Sequence, residues 1–337
     1  MSRATLAIGG SAVALVVATI GAFTVGRYPV PIGDLLAAIG AWMTGAPADP
    51  TIATVQTIVF NVRGPRVLAA LTIGAALAAA GAAYQSLFRN PLVSPDILGV
   101  SAGAALGAVL GIFFSLHFIA IQILAFAFGL AAVGLVYVIA NAVRGHDPIL
   151  VLVLAGVVIG ALLGASVALL KYLADPYNQL PAITFWLLGS LAAADARDIG
   201  YLLPLVAIGL APLALLRWRV NVLSLGDEEA RSLGVAVAPV RIAVIAAATL
   251  VTAASVAVCG VVGWVGLVIP HFARMLAGPD FSRLLPVSAL LGAGFLLVVD
   301  TLARTAARIE IPLGVLTAFV GTPLFLWQLM KARQIWR

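Results

Sequence analysis

Charged residues are scarce in this 337-residue chain, at 9% against 63% hydrophobic residues, and the mean hydropathy is +1.15. A soluble domain of this size would carry about a quarter charged residues. The shortage excludes a soluble globular protein and indicates an integral membrane protein without room for a separate soluble domain. The net charge of +6 is therefore interpreted as a membrane-orientation signal, and no nucleic acid partner is expected.

Cysteine and lysine are nearly absent as well. The single cysteine, Cys259, lies in an apolar run, which excludes an intrachain disulfide and favours a packed thiol. The two lysines, Lys171 and Lys331, follow Leu170 and Met330, so the chain has no Gly-Lys-Ser/Thr phosphate-binding loop. The sequence therefore predicts no nucleotide site in this chain, and any ATP that drives it must bind a separate subunit.

Catalytic motifs are equally sparse. The chain has three histidines and no His-Glu-x-x-His pattern, which excludes a zinc protease of that type. Residues 99–103, Gly-Val-Ser-Ala-Gly, match the G-x-S-x-G hydrolase motif, but they lie in an apolar helical run without the preceding strand that the motif needs. An intramembrane enzyme is thus a disfavoured alternative, and neither a catalytic residue nor a metal site is predicted.

Long apolar runs fill the chain, and each transmembrane helix needs about 20 such residues. They predict an all-α polytopic membrane protein with about ten transmembrane helices in one domain, residues 1–337. Most of the 19 lysines and arginines fall on one side, so that side and both termini are predicted to be cytoplasmic. The predicted spans are residues 4–25, 63–88, 97–118, 119–143, 148–173, 199–216, 242–260, 261–272, 284–304 and 312–330.

The order of the spans allows an internal repeat. Spans two to five and seven to ten would run in opposite senses, as an inverted repeat requires. Short surface helices are predicted at residues 32–43 and 181–191. Glycines at every fourth position predict smooth packing stripes on the third and fifth spans; they are Gly99, Gly103, Gly107 and Gly111, then Gly160 and Gly164.

Residues 223–241 form a polar island between two apolar runs. Three acidic residues, 227–229, are followed by Arg231 and Gly234, which is the pattern of a short helix with a favourable charge order and a glycine stop. A second short helix is predicted to start near Pro239, since proline suits a first helical position. This compact loop suggests a docking surface for a soluble partner, and an ordinary connecting loop is the alternative.

Ionisable residues inside spans are functional candidates by default. Asp300 and Arg304 are four apart on one helix face, as are Lys171 and Asp175, and both pairs are predicted to be structural ion pairs. No carboxylate series follows the bilayer midplane. The pattern therefore disfavours an ion-coupled secondary carrier, which stays as an alternative class.

Six stretches, in this order, occupy residues 63–323 with gaps: RGPRVLAALTIGAALAAAGAAYQSLFRNPLVSPDILGVSAGAALGA, FWLLGSLA, LGDEEARSLG, VGWVGLVIPHFAR, LLPVSALLGAGFLLVVDTLAR and EIPLGVLTAFVGTP. Together they resemble the signature of the FecCD family, the permeases of type II ABC importers for vitamin B12, ferric siderophores and haem. The family's Asp-His-Arg stands here as residues 280–283, Asp-Phe-Ser-Arg, and its terminal Gly-Ala-Pro as Gly-Thr-Pro at residues 321–323.

The resemblance implies an importer of a metal chelate or corrinoid that works by alternating access in a bacterial inner membrane. Its partners would be a second permease copy, two cytoplasmic ATPase subunits that bind ATP and Mg²⁺, a periplasmic binding protein and the lipid bilayer. This chain itself would hold no cofactor. A small oxyanion such as molybdate is the alternative substrate.

The resemblance also assigns residues to three sites. The loop that would dock into the ATPase comprises Gly226, Asp227, Glu228, Glu229, Ala230, Arg231, Ser232, Leu233 and Gly234. The arginines that would meet acidic residues of the binding protein are Arg63, Arg66 and Arg304. The residues that would gate the pathway at the cytoplasmic side are Asn90, Leu92, Ile149 and Leu150.

Overall fold

The computed structural model describes residues 3–45, 49–143 and 148–335. Within these ranges the chain is helical and contains no strand, which confirms the all-α prediction. The α-helices are α1 (Arg3–Thr24), α2 (Ile32–Thr44), α3 (Pro50–Gln56), α4 (Gly64–Leu87), α5 (Val100–Phe113), α6 (Phe118–Ala142), α7 (Pro148–Leu173), α8 (Gln179–Leu188), α9 (Ala196–Leu215), α10 (Arg217–Leu223), α11 (Asp227–Ser232), α12 (Val237–Cys259), α13 (Val265–Ala277), α14 (Phe281–Thr305) and α15 (Leu313–Ile335).

Ten of these helices match the ten predicted spans in order. Among the described residues, seven helices are long and apolar enough to cross a membrane: α1, the continuous Pro50–Leu87 unit that ends in α4, α6, α7, α9, α12 and α14. The other three are shorter apolar helices, namely α5, α13 and the Leu313–Gln328 part of α15. Helices of 14 and 13 residues, as α5 and α13 are, cover only part of a bilayer's hydrocarbon core.

The segment before α4 departs from the prediction. Instead of starting at residue 63, where the second span is predicted to begin, the chain is helical from Pro50 and passes through a π-helical turn, Thr57–Arg63, into α4. The amide of Gly64 donates to the Val59 carbonyl, five residues back. Pro65 explains this turn, since its ring has no N–H and would collide with a carbonyl of an ordinary α-helical turn.

The two predicted surface helices are present. Residues 32–43 lie in α2 and residues 181–191 overlap α8, which ends earlier than predicted, at Leu188. Gly189 follows with φ +74°, a left-handed conformation that stops the helix. Cys259, at the end of α12, is a buried free thiol, as predicted.

Helices α4 and α12 form the centre of the bundle, with 78% and 72% of their most apolar 18-residue windows buried. Helix α4 packs on α13 and α14, and α12 packs on α5 and α6. Each central helix is followed by a break and then by one of the two shortest spans. This exchange of partners is the arrangement that the predicted inverted repeat requires.

Close backbone contact holds the centre together. A Cβ added to Gly74 would overlap the Gly292 carbonyl oxygen, and one added to Gly81 would lie 2.6 Å from the carbonyl carbon of Gly266. The packing stripe on α5 is confirmed, because its glycines from 103 onward lie against α6. A Cβ built on Gly160 or Gly164 of α7 has no atom of the described residues within 4 Å.

Candidate functional site

The predicted coupling loop, residues 223–241, lies at one end of the bundle, called here the α11 end. Helix α11 starts after Gly226, whose φ of +139° favours glycine, and its end is closed by Gly234 at φ +77°. The amide of Gly234 donates to the Arg231 carbonyl (3.0 Å) and that of Val235 to the Ala230 carbonyl (2.9 Å). The glycine stop predicted from the sequence is therefore present as a Schellman motif.

Two corrections apply to this loop. The helix near Pro239 is the first turn of the 23-residue α12, which begins at Val237, and the second short helix is α10, ahead of α11. Ala230 is 0% exposed and belongs to the main core, so it supports α11 from beneath and offers no accessible side chain to a partner. Gly226 is buried as well.

Polar contacts fix the loop on the bundle. Arg241 of α12 donates to both carboxylate oxygens of Asp227 at 2.9 Å. Asn221 of α10 donates to Asp280 Oδ1 (2.7 Å) and accepts from the Phe281 amide (2.6 Å) at the start of α14. Sequence reasoning missed the Asn221 clamp, since these partners lie about 60 positions apart. The loop is thus held in place before any partner arrives.

The Asp280 carboxyl caps α14 by accepting from the Ser282 amide at 2.8 Å. Its pKa lies below the usual value. Burial acts to raise this pKa, but hydrogen bonds from Asn221 and Ser282 and the nearby Arg283 guanidinium favour the charged form and outweigh burial. Residues 280–283, where this chain departs from the family signature, therefore anchor α10 to the start of α14.

The outward face of the loop combines charge with two apolar side chains. Leu225 and Leu233 are 62% and 55% exposed on either side of α11. The exposed polar side chains between them are Glu228, Glu229, Arg231 and Ser232. An apolar pair with a charged strip between is a surface that a protein groove can recognise.

The predicted gate turn follows α4 at the same end. Asn90 and Leu92 are exposed, and the Asn90 Oδ1 accepts from the Leu92 amide at 2.9 Å, which fixes the turn. Arg89 has φ +52°, a conformation uncommon for a residue other than glycine. A Cβ added to Gly226 would overlap Glu229 Oε2 and lie 3.7 Å from Arg89 Nη1, so the turn and α11 adjoin.

The other two predicted gate residues begin α7. Leu150 is 53% exposed and Ile149 is partly buried. The 3₁₀ turn Pro95–Leu98, which follows the gate turn, packs on α7, where a Cβ on Gly156 would overlap the Ile97 carbonyl oxygen. The turn that follows Asn90 and Leu92 therefore contacts the helix that carries Ile149 and Leu150.

The three predicted docking arginines lie at the opposite end and point into the protein. Arg63 is 6% exposed and donates to the carbonyls of Phe23 and Tyr28. Arg304 is 8% exposed and donates to the Ala22 carbonyl at 2.5 Å. Two of the three are thus engaged with the C-terminal end of α1, and their docking role stays a prediction.

Arg66 is the third, and it holds two carboxylates. Its guanidinium contacts Asp300 at 2.9 Å and Glu310 at 3.0 Å, while Arg304 lies 3.8 Å from Asp300. The Asp300–Arg304 pair was predicted, and the roles of Arg66 and Glu310 in it were missed because they lie more than 200 residues apart in sequence. Among described residues no ion pair joins Lys171 to Asp175, which instead accepts from the Asn178 amide at 2.7 Å.

A cavity of about 700 Å³ lies between α8, the segment before α13, and α15. The described residues that line it include Leu187, Trp264 and Phe319, and none of them is charged. Trp264 has φ +72°, a strained conformation for a bulky residue, and such strain is concentrated at functional sites.

Comparison with known proteins bears on this arrangement. The FecCD transport family profile matches residues 9–331. The molybdate import system permease protein MolB of Haemophilus influenzae is 38% identical over 94% of this chain and 93% of its own length. The cobalamin import system permease protein BtuC of Halobacterium salinarum is 42% identical over 84% of this chain and 75% of its own length. A solved metal-chelate type ABC transporter in an inward-facing conformation superposes with a TM-score of 0.86, at 37% identity, covering 96% of this chain and 98% of that one.

Proposed function

The chain belongs to the FecCD transport family of ABC importer permeases, and from this premise we propose that it carries a metal chelate or corrinoid inward across a bacterial inner membrane. As a permease subunit it is a transport component and not an enzyme. ATP and Mg²⁺ would be held by two separate ATPase subunits, and substrate would be delivered by a periplasmic binding protein. Both termini would face the cytoplasm.

The observation that carries the coupling part of this proposal is the preformed α10–α11 loop. The backbone at the C-terminal end of α11 is hydrogen-bonded in the Schellman motif, and Ala230 packs the inner face of α11 on the core. The exposed face presents Leu225 and Leu233. A rigid loop of this kind transmits movement of a docked ATPase to the spans without first having to order itself. The Asp227–Arg241 pair (2.9 Å) passes that movement to α12.

The pathway would lie between two copies of this chain. Helix α7 has only 22% of its most apolar window buried, and no atom of the described residues lies within 4 Å of a Cβ built on Gly160 or Gly164. A twofold partner would cover such a face and bring each Leu92 and Leu150 near its copy. The Arg89 side chain adjoins Gly226, which supports a gate beside the coupling loop.

The apolar cavity beside Trp264 and Phe319 favours a substrate with an organic periphery. A small oxyanion needs amide or cationic donors to replace its water, and the described residues that line this cavity include no charged side chain. Molybdate remains the second candidate because the MolB relative covers nearly the whole chain. Uptake measured with cobalamin, haemin, a ferric siderophore and molybdate in parallel distinguishes the two classes.

The coupling role is tested with Leu233→Glu, which places a charge on the exposed face of α11. We expect normal assembly in the membrane but loss of the co-purifying ATPase and of substrate-stimulated ATP hydrolysis, since an unpaired charge in a packed interface costs several kcal/mol. Ile309→Glu is the matched control for ATPase recovery alone, because Ile309 is 81% exposed at the end opposite to α11. Equal ATPase recovery from both variants would exclude α11 from the coupling interface.

A further inference from the structure

The two carboxylates on Arg66 differ in how they are held. The Arg66 Nε donates to Asp300 at 3.0 and 3.1 Å, and its two terminal nitrogens donate to the two Glu310 oxygens at 3.0 Å each. Asp300 has Arg304 as a second cation at 3.8 Å. Among the ion pairs of the described residues, Glu310 is paired with Arg66 alone. Glu310 is therefore the carboxylate that can leave without stranding a second charge.

Burial and backbone structure also distinguish Glu310 from Asp300. The Asp300 side chain is 0% exposed inside α14, whereas the Glu310 side chain is 34% exposed. Glu310 lies in the irregular connection between α14 and α15, where neighbouring Ile309 is 81% exposed. Among the described residues, the hydrogen bonds of this connection include those from Arg27 to the Arg308 carbonyl (2.7 Å), from the Ala306 amide to the Leu302 carbonyl (2.9 Å) and from the Ile311 amide to the Ala303 carbonyl (3.0 Å). Glu310 can swing outward without unfolding a helix.

Arg63 and Arg304 have no such replaceable partner. Both donate to main-chain carbonyls at the end of α1, which would be left unsatisfied if the guanidinium groups turned outward. Of the three arginines, Arg66 alone holds a partly exposed carboxylate, that of Glu310, in a two-pronged contact. This is the geometry with which arginine recognises a carboxylate of another protein.

We propose that Arg66 is a carboxylate-recognition site that Glu310 occupies in the free permease, and that an acidic side chain of the binding protein replaces Glu310 on docking. The inference rests on the proposed importer function and restricts the docking contact to one of the three predicted arginines. Exchange of one carboxylate for another keeps the charge on Arg66 balanced, so the docked state buries no unpaired cation. In the absence of partner, the site is masked.

The test measures association with the assembled permease–ATPase complex in nanodiscs. The probe is the soluble binding protein that stimulates ATP hydrolysis by the wild-type complex. Glu310→Gln removes the competing charge and should raise the association rate by about tenfold. The reason is that apparent affinity is proportional to the fraction of permease in which Arg66 is free to bind. Glu310→Asp keeps the charge but shortens the side chain, and should give a smaller increase. Arg66→Gln should slow association in either background.

Asp34→Asn is the matched control, because Asp34 lies in the first turn of α2 and its loss changes net charge by the same amount. It should leave association unchanged. An equal gain in association rate from Asp34→Asn would overturn the proposal. So would no gain in association rate from Glu310→Asp and Glu310→Gln together with a lower melting temperature, because Glu310 would then be a purely structural partner. If the wild-type complex binds no soluble protein at all, the importer function itself fails, a result distinguishable from the others.

Discussion

Arg63 and Arg304 were predicted to dock a partner, but the structure gives both of them a structural role inside the chain. Both stand on the side where the charge bias predicts few arginines, and both donate to carbonyls at the C-terminal end of α1. The last carbonyls of a helix have no intrahelical donor, and a cation is favourable there. Their retention on this side therefore has an explanation inside the chain, independent of any partner.

Asn221 permits a residue-level test through pH. The pKa of Asp280 is lowered in the folded chain, partly by Asn221, so this carboxyl stabilises the fold above its unfolded pKa of about 3.9. The contribution is lost as pH falls through the lower folded pKa. Asn221→Ala should cost about 1–3 kcal/mol at pH 7, and its deficit in melting temperature should narrow as pH drops to about 3. A deficit constant over this range, against an exposed-site control Asn178→Ala, would show that Asp280 is not the group involved.

Such residue contacts mark the limit of what the sequence predicts. The Asp300–Arg304 pair is four residues apart and follows from helical spacing, but Arg66 reaches Asp300 across 234 positions and Glu310 across 244. Asn221 reaches Asp280 across 59. Spacing shows which side chains share a helix face, whereas these contacts depend on which helices pack together, and that depends on the whole bundle.

Elements were predictable where local chemistry dictates them. The glycine stop of α11 and the ten apolar helices follow from spacing and composition. The π-helical turn before α4 was missed, because the local pattern around Pro65 indicates a helix start and only the packed structure shows that the helix continues backward to Pro50. Ala230 looks like a surface residue in a polar loop and proves to be core.

The crossing of α4 with α13 can be tested at its tightest point. A Cβ on Gly81 would lie 2.6 and 2.7 Å from two backbone atoms of Gly266, and backbone cannot move as a side chain can. Gly81→Ala should therefore lower the free energy of unfolding by about 1–3 kcal/mol or more. The effect is measured as a lower melting temperature, from the amount of folded protein recovered by size-exclusion chromatography after heating. Gly134→Ala on α6 should be neutral or stabilising, because no neighbouring atom of the described residues lies within 4 Å of a Cβ built there. Equal melting temperatures for the two variants would refute the close crossing.

The whole molecule places its two predicted working surfaces at opposite ends of one bundle. Helices α4 and α14 run between them, with the gate turn and Asp280 at the α11 end and Arg66 with Asp300 at the other. A shift of either end therefore acts on the same two packed helices. This is the arrangement expected of a permease in which binding-protein docking and ATPase docking bias one alternating-access transition.

Uptake into proteoliposomes tests the central claim most directly. The vesicles contain the permease with its ATPase subunits, ATP is supplied on the α11 side, and the binding protein with labelled cobalamin, haemin or ferric siderophore is supplied on the other. The account predicts uptake that requires the permease, the ATPase subunits, ATP and the binding protein, and that persists when ionophores collapse every ion gradient. Uptake by the permease alone, driven by an ion gradient and abolished by ionophores, would contradict it and identify a secondary carrier.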